Sequence, residues 1–276
     1  MSTVEYERAA ALLDWYATSK RTLPWRDTGS RYHVLVSEFM LQQTPVDRVI
    51  SYFERWVAAY PTIEDLANES LADVLKLWSG LGYNNRCKRL LECARIITAD
   101  GWPTSATELQ ELPGVGAYTA SAIAAFAMGA HVATTDTNLR RILSRWHGEP
   151  LTGEALKLAA DRSLVAPAAD WNQAMMDLGA LVCRSHDPSC GECPVAAWCA
   201  GPGLILEVPR QTKFEDSKRQ VRGAVIRALV RKTPQSTHEL VSTTRFPTPR
   251  VVDAISSLVE DQLVESAGGV VRLRDS

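Results

Sequence analysis

Four cysteines, Cys183, Cys190, Cys193 and Cys199, fall within 17 residues, separated by six, two and five residues. The N-terminus, MSTVEYERAA, has no basic stretch leading into an apolar run, so no signal peptide is expected. In a long chain of that kind, such cysteine density points to metal ligation rather than to a disulfide scaffold or a set of idle thiols. Four thiolates suit a structural zinc ion or a [4Fe–4S] cluster. Zinc sites commonly pair two CxxC knuckles, and a ferredoxin packs three cysteines at two-residue spacing. This loop does neither, so its spacing leaves both groups open. Cys87 and Cys93, six apart in a helical stretch, read as small core residues.

Three other places could carry chemistry. Leu112-Pro113-Gly114-Val115-Gly116 lies between two short helical stretches. Its glycines let the backbone approach a ligand and present successive N–H groups, and the helix starting at Ala117 adds its positive end. Such a loop suits a phosphate, held by its backbone without regard to base sequence; the plainer alternative is a tight turn in a helical hairpin. Glu38 sits in His33-Val34-Leu35-Val36-Ser37-Glu38-Phe39-Met40-Leu41, where nearly every neighbour is apolar. Burial there would favour its protonated form and fit it to donate a proton near neutral pH. The alternative is a glutamate that emerges at a helix end or pairs with an arginine. Asp136 opens an amphipathic helix in Thr134-Thr135-Asp136-Thr137-Asn138. As N-cap it is expected to stay ionised under the helix dipole and amide donors, although capping alone explains an aspartate there. One acid held protonated and one held ionised is what glycosidic cleavage needs: the first protonates the leaving group, the second stabilises an oxocarbenium-like cation.

Helices joined by short loops must position these groups. Apolar periodicity predicts helices over 4–19, 32–44, 46–59, 70–78, 85–99, 117–128, 137–146, 154–165 and 171–182, with a short one after the capping-box pattern Ser105-Ala106-Thr107-Glu108. Residues 200–216, with Gly201, Pro202, Gly203 and Pro209, read as a linker. Beyond it, a basic helix over 217–232, a second starting at Ser236 and a third with Thr248 as N-cap and Pro249 at N1 precede Gly268–Leu273, which fits a small β wing. This is a winged-helix-like pattern; such modules bind DNA in some proteins and only pack against neighbours in others.

The 276 residues carry 30 Lys+Arg against 32 Asp+Glu, a formal charge of -2, and 46% are hydrophobic. That excludes a disordered chain. The most apolar stretch, Ala117 to Ala133, is alanine-rich, broken by Gly129 and too short to span a bilayer, so no membrane partner is expected. The balanced charge lacks the basic excess that usually marks a nucleic-acid partner.

Seven motifs nevertheless carry a family resemblance. They are Leu23-Pro24-Trp25-Arg26, Ser37-Glu38-Phe39-Met40-Leu41-Gln42-Gln43-Thr44, Trp78-Ser79-Gly80-Leu81-Gly82-Tyr83, Leu112-Pro113-Gly114-Val115-Gly116, Asp136-Thr137-Asn138, Asn172-Gln173-Ala174-Met175-Met176-Asp177-Leu178-Gly179 and the cysteine loop. In this order, over about residues 8–200, they resemble the MutY family of adenine DNA glycosylases, within the helix-hairpin-helix glycosylase superfamily. The resemblance implies an all-α fold: a glycosylase core over 1–212, with two helical subdomains flanking a cleft, and a winged-helix-like module over 213–276. The six-helix subdomain would cover about 28–136, and the N-terminal helix would join 137–200 in an iron–sulfur subdomain.

The resemblance also implies a monofunctional enzyme of base excision repair. It would flip adenine mispaired with 8-oxoguanine or guanine out of duplex DNA and hydrolyse its N-glycosidic bond. Glu38 would be the acid, Asp136 the carboxylate facing the sugar cation and Asn138 its pocket neighbour. Tyr118 falls where the related endonuclease III has its Schiff-base lysine, which implies no efficient strand cleavage. In some MutY relatives a tyrosine there assists the catalytic acids. Gln43 and Tyr83 would wedge into the duplex, and Leu112, Gly114, Val115 and Gly116 would hold its backbone. Cys183, Cys190, Cys193 and Cys199 would ligate a [4Fe–4S] cluster. A monomer located in the cytoplasm, or with the nucleoid in a bacterium, is implied.

Three positions depart from the family pattern. Thr137 stands where many relatives have glycine, Asn84 and Asn85 follow Tyr83 where a second tyrosine is common, and the long C-terminal domain that reads 8-oxoguanine is expected to be missing. A thymine or uracil glycosylase on the same scaffold generally lacks a glutamate at the place of Glu38. An iron–sulfur DNA-binding protein without activity would have no need of Glu38 and Asp136.

Overall fold

The computed structural model describes residues 3–206 and 213–274. Part of the expected linker, with Pro209, lies outside them. The chain is helical to residue 181. In order come α1 (Thr3–Ser19), α2 (Arg31–Leu41), α3 (Val46–Ala59), α4 (Ile63–Ala67), α5 (Leu71–Trp78) and α6 (Asn85–Asp100). Then follow α7 (Ala106–Leu109), α8 (Ala117–Ala127), α9 (Thr137–His147), α10 (Gly153–Ser163) and α11 (Ala168–Leu181). The cysteine loop holds two single 3₁₀ turns, Cys190–Glu192 and Ala196–Trp198. The C-terminal part runs α12 (Lys218–Arg231), β1 (Gln235–Ser236), α13 (Thr237–Thr244), α14 (Thr248–Glu260), β2 (Val264–Ala267) and β3 (Val270–Leu273).

Two compact units result. The first comprises 1–34, 105–110 and 115–209. Its core gathers Leu12 and Tyr16 from α1, Leu139, Ile142, Leu143 and Trp146 from α9, and Trp171, Met175 and Leu178 from α11. The second comprises 35–104, 111–114 and 210–276. There Trp56 and Trp78, both essentially buried, meet edge to face at 5.5 Å, the geometry that aromatic quadrupoles favour. Helices α12 and α14 pack on each other in the same unit, and antiparallel pairing gives the sheet order β1-β3-β2. In that sheet Gln235 faces Val271 and Val264 faces Leu273.

Several boundaries differ from those the sequence predicts, for local reasons. Helix α2 stops at Leu41, not residue 44, because Gln43 takes a left-handed φ of 58°. The five-residue α4 was not expected; its capping box is closed by Thr62 and Asp65, the shorter acid replacing the usual Glu. Helix α11 starts at Ala168, three residues early, directly after Pro167. In α14 the N-cap is Pro247, which puts Thr248 inside the first turn. The wing is a hairpin turning at Gly268–Gly269, and β1, also unexpected, makes it three-stranded.

Candidate functional site

In the second unit, Glu38 lies on α2 with 6% of its surface exposed, among buried Val34, Leu35, Phe39 and Met40. The end of that helix is held by Arg86 of α6. Its guanidinium donates to the carbonyls of Phe39 at 2.9 Å and Met40 at 2.8 Å, to that of Gln42, and at 3.1 Å to both Thr44 Oγ1 and the Gly82 carbonyl. A cation at a helix C-terminus satisfies carbonyls that the helix itself cannot. Burial pulls the Arg86 pKa down to about 10. Trp78 Nε1 donates to the Gly82 carbonyl at 2.9 Å and Tyr52 Oη to the Ser79 carbonyl at 3.1 Å, fixing the 79–83 turn. Both segments then present a residue in the left-handed region, Gln43 with φ 58° and Tyr83 with φ 50°. Non-glycine residues pay for that conformation, and such strain gathers at functional sites.

In the 112–116 loop Leu112 and Val115 are buried. Gly114 is required twice over: its φ is +80°, and a Cβ there would lie 2.8 Å from Arg89 Cδ and 3.2 Å from the Phe39 ring. Cys93 Sγ donates to the Pro113 carbonyl at 3.1 Å. Cys87 and Cys93 are buried as expected, and burial pushes the Cys93 thiol up to about 12. Helix α8 starts with Gly116 as N-cap, so no side chain competes for its first N–H groups.

In the first unit, Asp136 caps α9 by accepting from Leu139 N at 2.6 Å, and it accepts from Asn138 Nδ2 at 3.0 Å. To the helix dipole and amide donors that the sequence expects to keep it ionised, packing adds an opposing effect. Burial raises its pKa by more than the Leu139 amide, the Asn138 amide and Arg141 lower it. The polar chain continues from Asn138: Arg141 Nη2 donates to Asn138 Oδ1 at 2.7 Å and to the Gly179 carbonyl at 2.8 Å, while Arg141 Nε donates to the Cys183 carbonyl at 2.8 Å. Tyr118 lies in the first turn of α8.

Helix α11 organises this region one residue at a time. Asn172, fully buried, accepts from Thr134 N at 2.8 Å and Thr134 Oγ1 at 3.0 Å, and donates to the Val132 and Ala168 carbonyls at 2.8 Å. It thereby fixes the segment that leads into Asp136. Gln173 accepts from Tyr16 of α1 at 2.7 Å. Asp177, fully buried, accepts from both Nη atoms of Arg26 at 2.8 Å, from Arg21 Nε at 2.7 Å and from Arg21 N at 3.0 Å. Burial pushes the Asp177 carboxyl up, but Arg26 and Arg21 outweigh it and hold the pKa below the ordinary carboxylate range. Gly179 leaves the space that Asn138 fills; a Cβ there would stand 2.6 Å from Asn138 Cβ. Sequence reasoning did not assign Asp177, Arg141 or Arg145. For Arg145 the signal was an arginine set beside the buried α9 stripe, four residues from Arg141.

Arg145 is 2% exposed and organises the cysteine loop. It donates to Cys183 Sγ at 3.1 Å and to the carbonyls of Arg184 at 2.8 Å, Ser185 at 3.3 Å and Leu204 at 3.0 Å, with no carboxylate partner among the described residues. Cys183, Cys193 and Cys199 pack against the unit's core, and Cys190 is exposed. Burial and the neighbouring thiols push Cys193 and Cys199 up. Among the described residues no three His, Cys, Asp or Glu side chains form a group that could hold a metal ion. The four donor side chains of the loop are all thiols and Arg145 lies against Cys183, a donor set that suits a thiolate-ligated group.

Residues 36–164 match the model of the HhH-GPD superfamily base excision DNA repair protein. An adenine DNA glycosylase of Mycolicibacterium smegmatis is 40% identical over 269 residues, covering 92% of this chain and 91% of that protein. The chain belongs to the adenine DNA glycosylase family. The human adenine DNA glycosylase is 44% identical over 209 residues, covering 68% of this chain and 38% of the human protein. Among solved structures, a thermostable thymine-DNA glycosylase superposes with a TM-score of 0.67 at 27% identity, covering 72% of this chain and 98% of that one. An endonuclease III–DNA complex shares the fold, with a TM-score of 0.61 at 18% identity, covering 73% and 97%.

Proposed function

We propose that this protein is a monofunctional DNA glycosylase of base excision repair. Acting as a monomer on duplex DNA, it removes adenine mispaired with 8-oxoguanine or guanine after flipping the base from the stack. The protonated Glu38 carboxyl gives its proton to the adenine ring, and the glycosidic bond breaks with its electron pair leaving on the base. The Asp136 carboxylate stabilises the sugar cation until water adds to it and gives up a proton, leaving an abasic site. Asn138 holds Asp136 in place. Tyr118 offers no amine for a Schiff base, so the strand stays intact. Gln43 and Tyr83 enter the duplex beside the extruded base, and the backbone of the 112–116 loop holds a phosphate.

The observation that carries the reading is a glutamate, Glu38, buried on α2, in a chain 40% identical to adenine DNA glycosylases. Asp136, capped and bonded to Asn138, supports the second role. Cys183, Cys190, Cys193 and Cys199 would hold a [4Fe–4S] cluster, which the all-thiol donor set beside Arg145 supports. When bound, the cluster supplies ligation energy that fixes the 183–199 loop.

The test is a panel of duplexes carrying A:8-oxoguanine, A:G, T:G and U:G, treated with alkali after incubation. Alkali-dependent cleavage at the adenines is expected. Cleavage at T:G or U:G alone would make the chain a thymine or uracil glycosylase, and none on any duplex would make it a binding protein. Glu38→Gln should lose at least about 100-fold in adenine release while still binding the duplex.

A further inference from the structure

Within the second unit, a cavity of about 950 Å³ is lined by the 42–48 turn, the 79–89 segment and one face of α12 with the end of α13. Seven arginines line it and no Asp or Glu does, in a chain whose formal charge is -2. Two of the seven are spent: Arg86 on backbone carbonyls and Arg222 on Asp261 and Ser257. Arg219 leans on Tyr83, with Nη1 2.5 Å from the phenol oxygen and the guanidinium 5.7 Å from the ring centre. Arg48, Arg89, Arg227 and Arg231 are exposed and have no carboxylate partner among the described residues. Four exposed guanidiniums without carboxylate partners around one concave surface make a positive field that favours a polyanion.

The layout of α12 says which polyanion. Arg219, Gly223, Arg227 and Arg231 recur every four residues, so they form one stripe, while Val221, Val225 and Leu229 are buried on the other side. The twelve helical rises from 219 to 231 span about 18 Å, about five base steps of one strand at 3.4 Å each. A single small anion does not need a row of that length. Helix α14, by contrast, carries Asp253 and Glu260, and its Arg250 is paired with Asp216. The module's basic face is therefore its first helix.

We propose that the arginine stripe of α12, with Arg48 and Arg89, is a phosphate-binding wall for the backbone of duplex DNA, placed beside Gln43 and Tyr83. The C-terminal module is then a working part of the DNA interface and not a packing element. Arg219 is a positioning residue that holds the Tyr83 ring. The inference rests on the DNA reading above, yet it is testable without any excision.

The experiment measures the affinity of the full chain for an undamaged duplex across 50–200 mM salt. The double variant Arg227→Gln/Arg231→Gln is compared with a charge-matched control on α10, Lys157→Gln/Arg162→Gln, both exposed. Loss of two phosphate contacts lowers the salt slope by about 2, so the affinity gap to the unmodified chain narrows about tenfold across that range. The control keeps the full slope. An unchanged slope in the α12 variant, or an equal drop in the control, overturns the proposal. Weakened binding of ATP with an unchanged duplex slope would assign the cavity to a small anion and overturn it as well. The undamaged duplex separates this outcome from failure of the adenine panel.

Discussion

Replacing Asp177 with alanine strands two cations. Its carboxylate is fully buried and accepts four hydrogen bonds, two from Arg26, whose side chain is 7% exposed, and two from Arg21, at 25%. Removing one partner of a buried pair costs about 3–5 kcal/mol, chiefly because the remaining charge stays desolvated. Against a total stability of about 5–15 kcal/mol this is a large fraction. With a urea slope of about 2.5 kcal/mol per M, a loss of about 4 kcal/mol moves the midpoint down by about 1.6 M. Arg21→Met should cost only about 1 kcal/mol, since that guanidinium reaches water. The double variant Arg26→Met/Asp177→Leu should recover most of the loss, because it removes both buried charges together. The pH dependence has a definite sign. Since the folded pKa of Asp177 is depressed, its contribution is complete above the unfolded value of about 3.9 and is lost as the pH falls from there through the lower folded value. Asp177→Asn should therefore flatten the acid limb of the stability curve. Urea titrations of the single and double variants decide the matter. A loss under about 1 kcal/mol for Asp177→Ala, or a double variant as unstable as the sum of the singles, would refute the reasoning.

Other outcomes follow from the same geometry. Asp136→Asn should abolish adenine release while Tm moves by no more than about 4 °C. Asparagine still caps α9, and losing a carboxyl whose folded pKa is raised removes a cost that grows as pH rises from the unfolded value to the folded one and is constant above it; full activity would contradict its role. Gly179→Ala pushes a methyl into Asn138 and should lower the single-turnover excision rate more than duplex affinity, so an unchanged rate would dissociate Asn138 from the chemistry. Cys193→Ser should lose iron, visible colour and protease resistance of the 183–199 loop together, and a colourless, iron-free preparation of the unmodified chain with that loop fully resistant would sink the cluster assignment.

Most of the helices were legible because their signals are local. Ser236 and Glu239 close the capping box that their types announce, and the apolar stripe of α9 is buried as its spacing requires. The fold family was legible from ordered motifs. What stayed hidden was the purpose of the residues inside them. Arg26 and Asp177 stand 151 positions apart, and nothing near either one names the other. The Asp136 environment was half read: its cap is a sequence pattern, whereas the burial that outweighs the cap is a product of packing. The balanced charge misled for a similar reason, since a sum over the chain conceals seven arginines gathered around one cavity.

The hydrogen-bonded chain from Asp136 through Asn138 and Arg141 to the Cys183 carbonyl has a consequence for the life of the protein. It ties the cysteine loop to the carboxylate: if the loop loses its shape, Arg141 loses one acceptor and keeps the Gly179 carbonyl, so the brace on Asn138 slackens while the Leu139 amide still caps Asp136. On the proposed reading, a copy whose loop never matured, or later decayed, would excise more slowly while its duplex-facing surface stayed whole. Such a molecule would still occupy a lesion, so on that reading the fraction of chains with an intact loop would count beside the amount of protein.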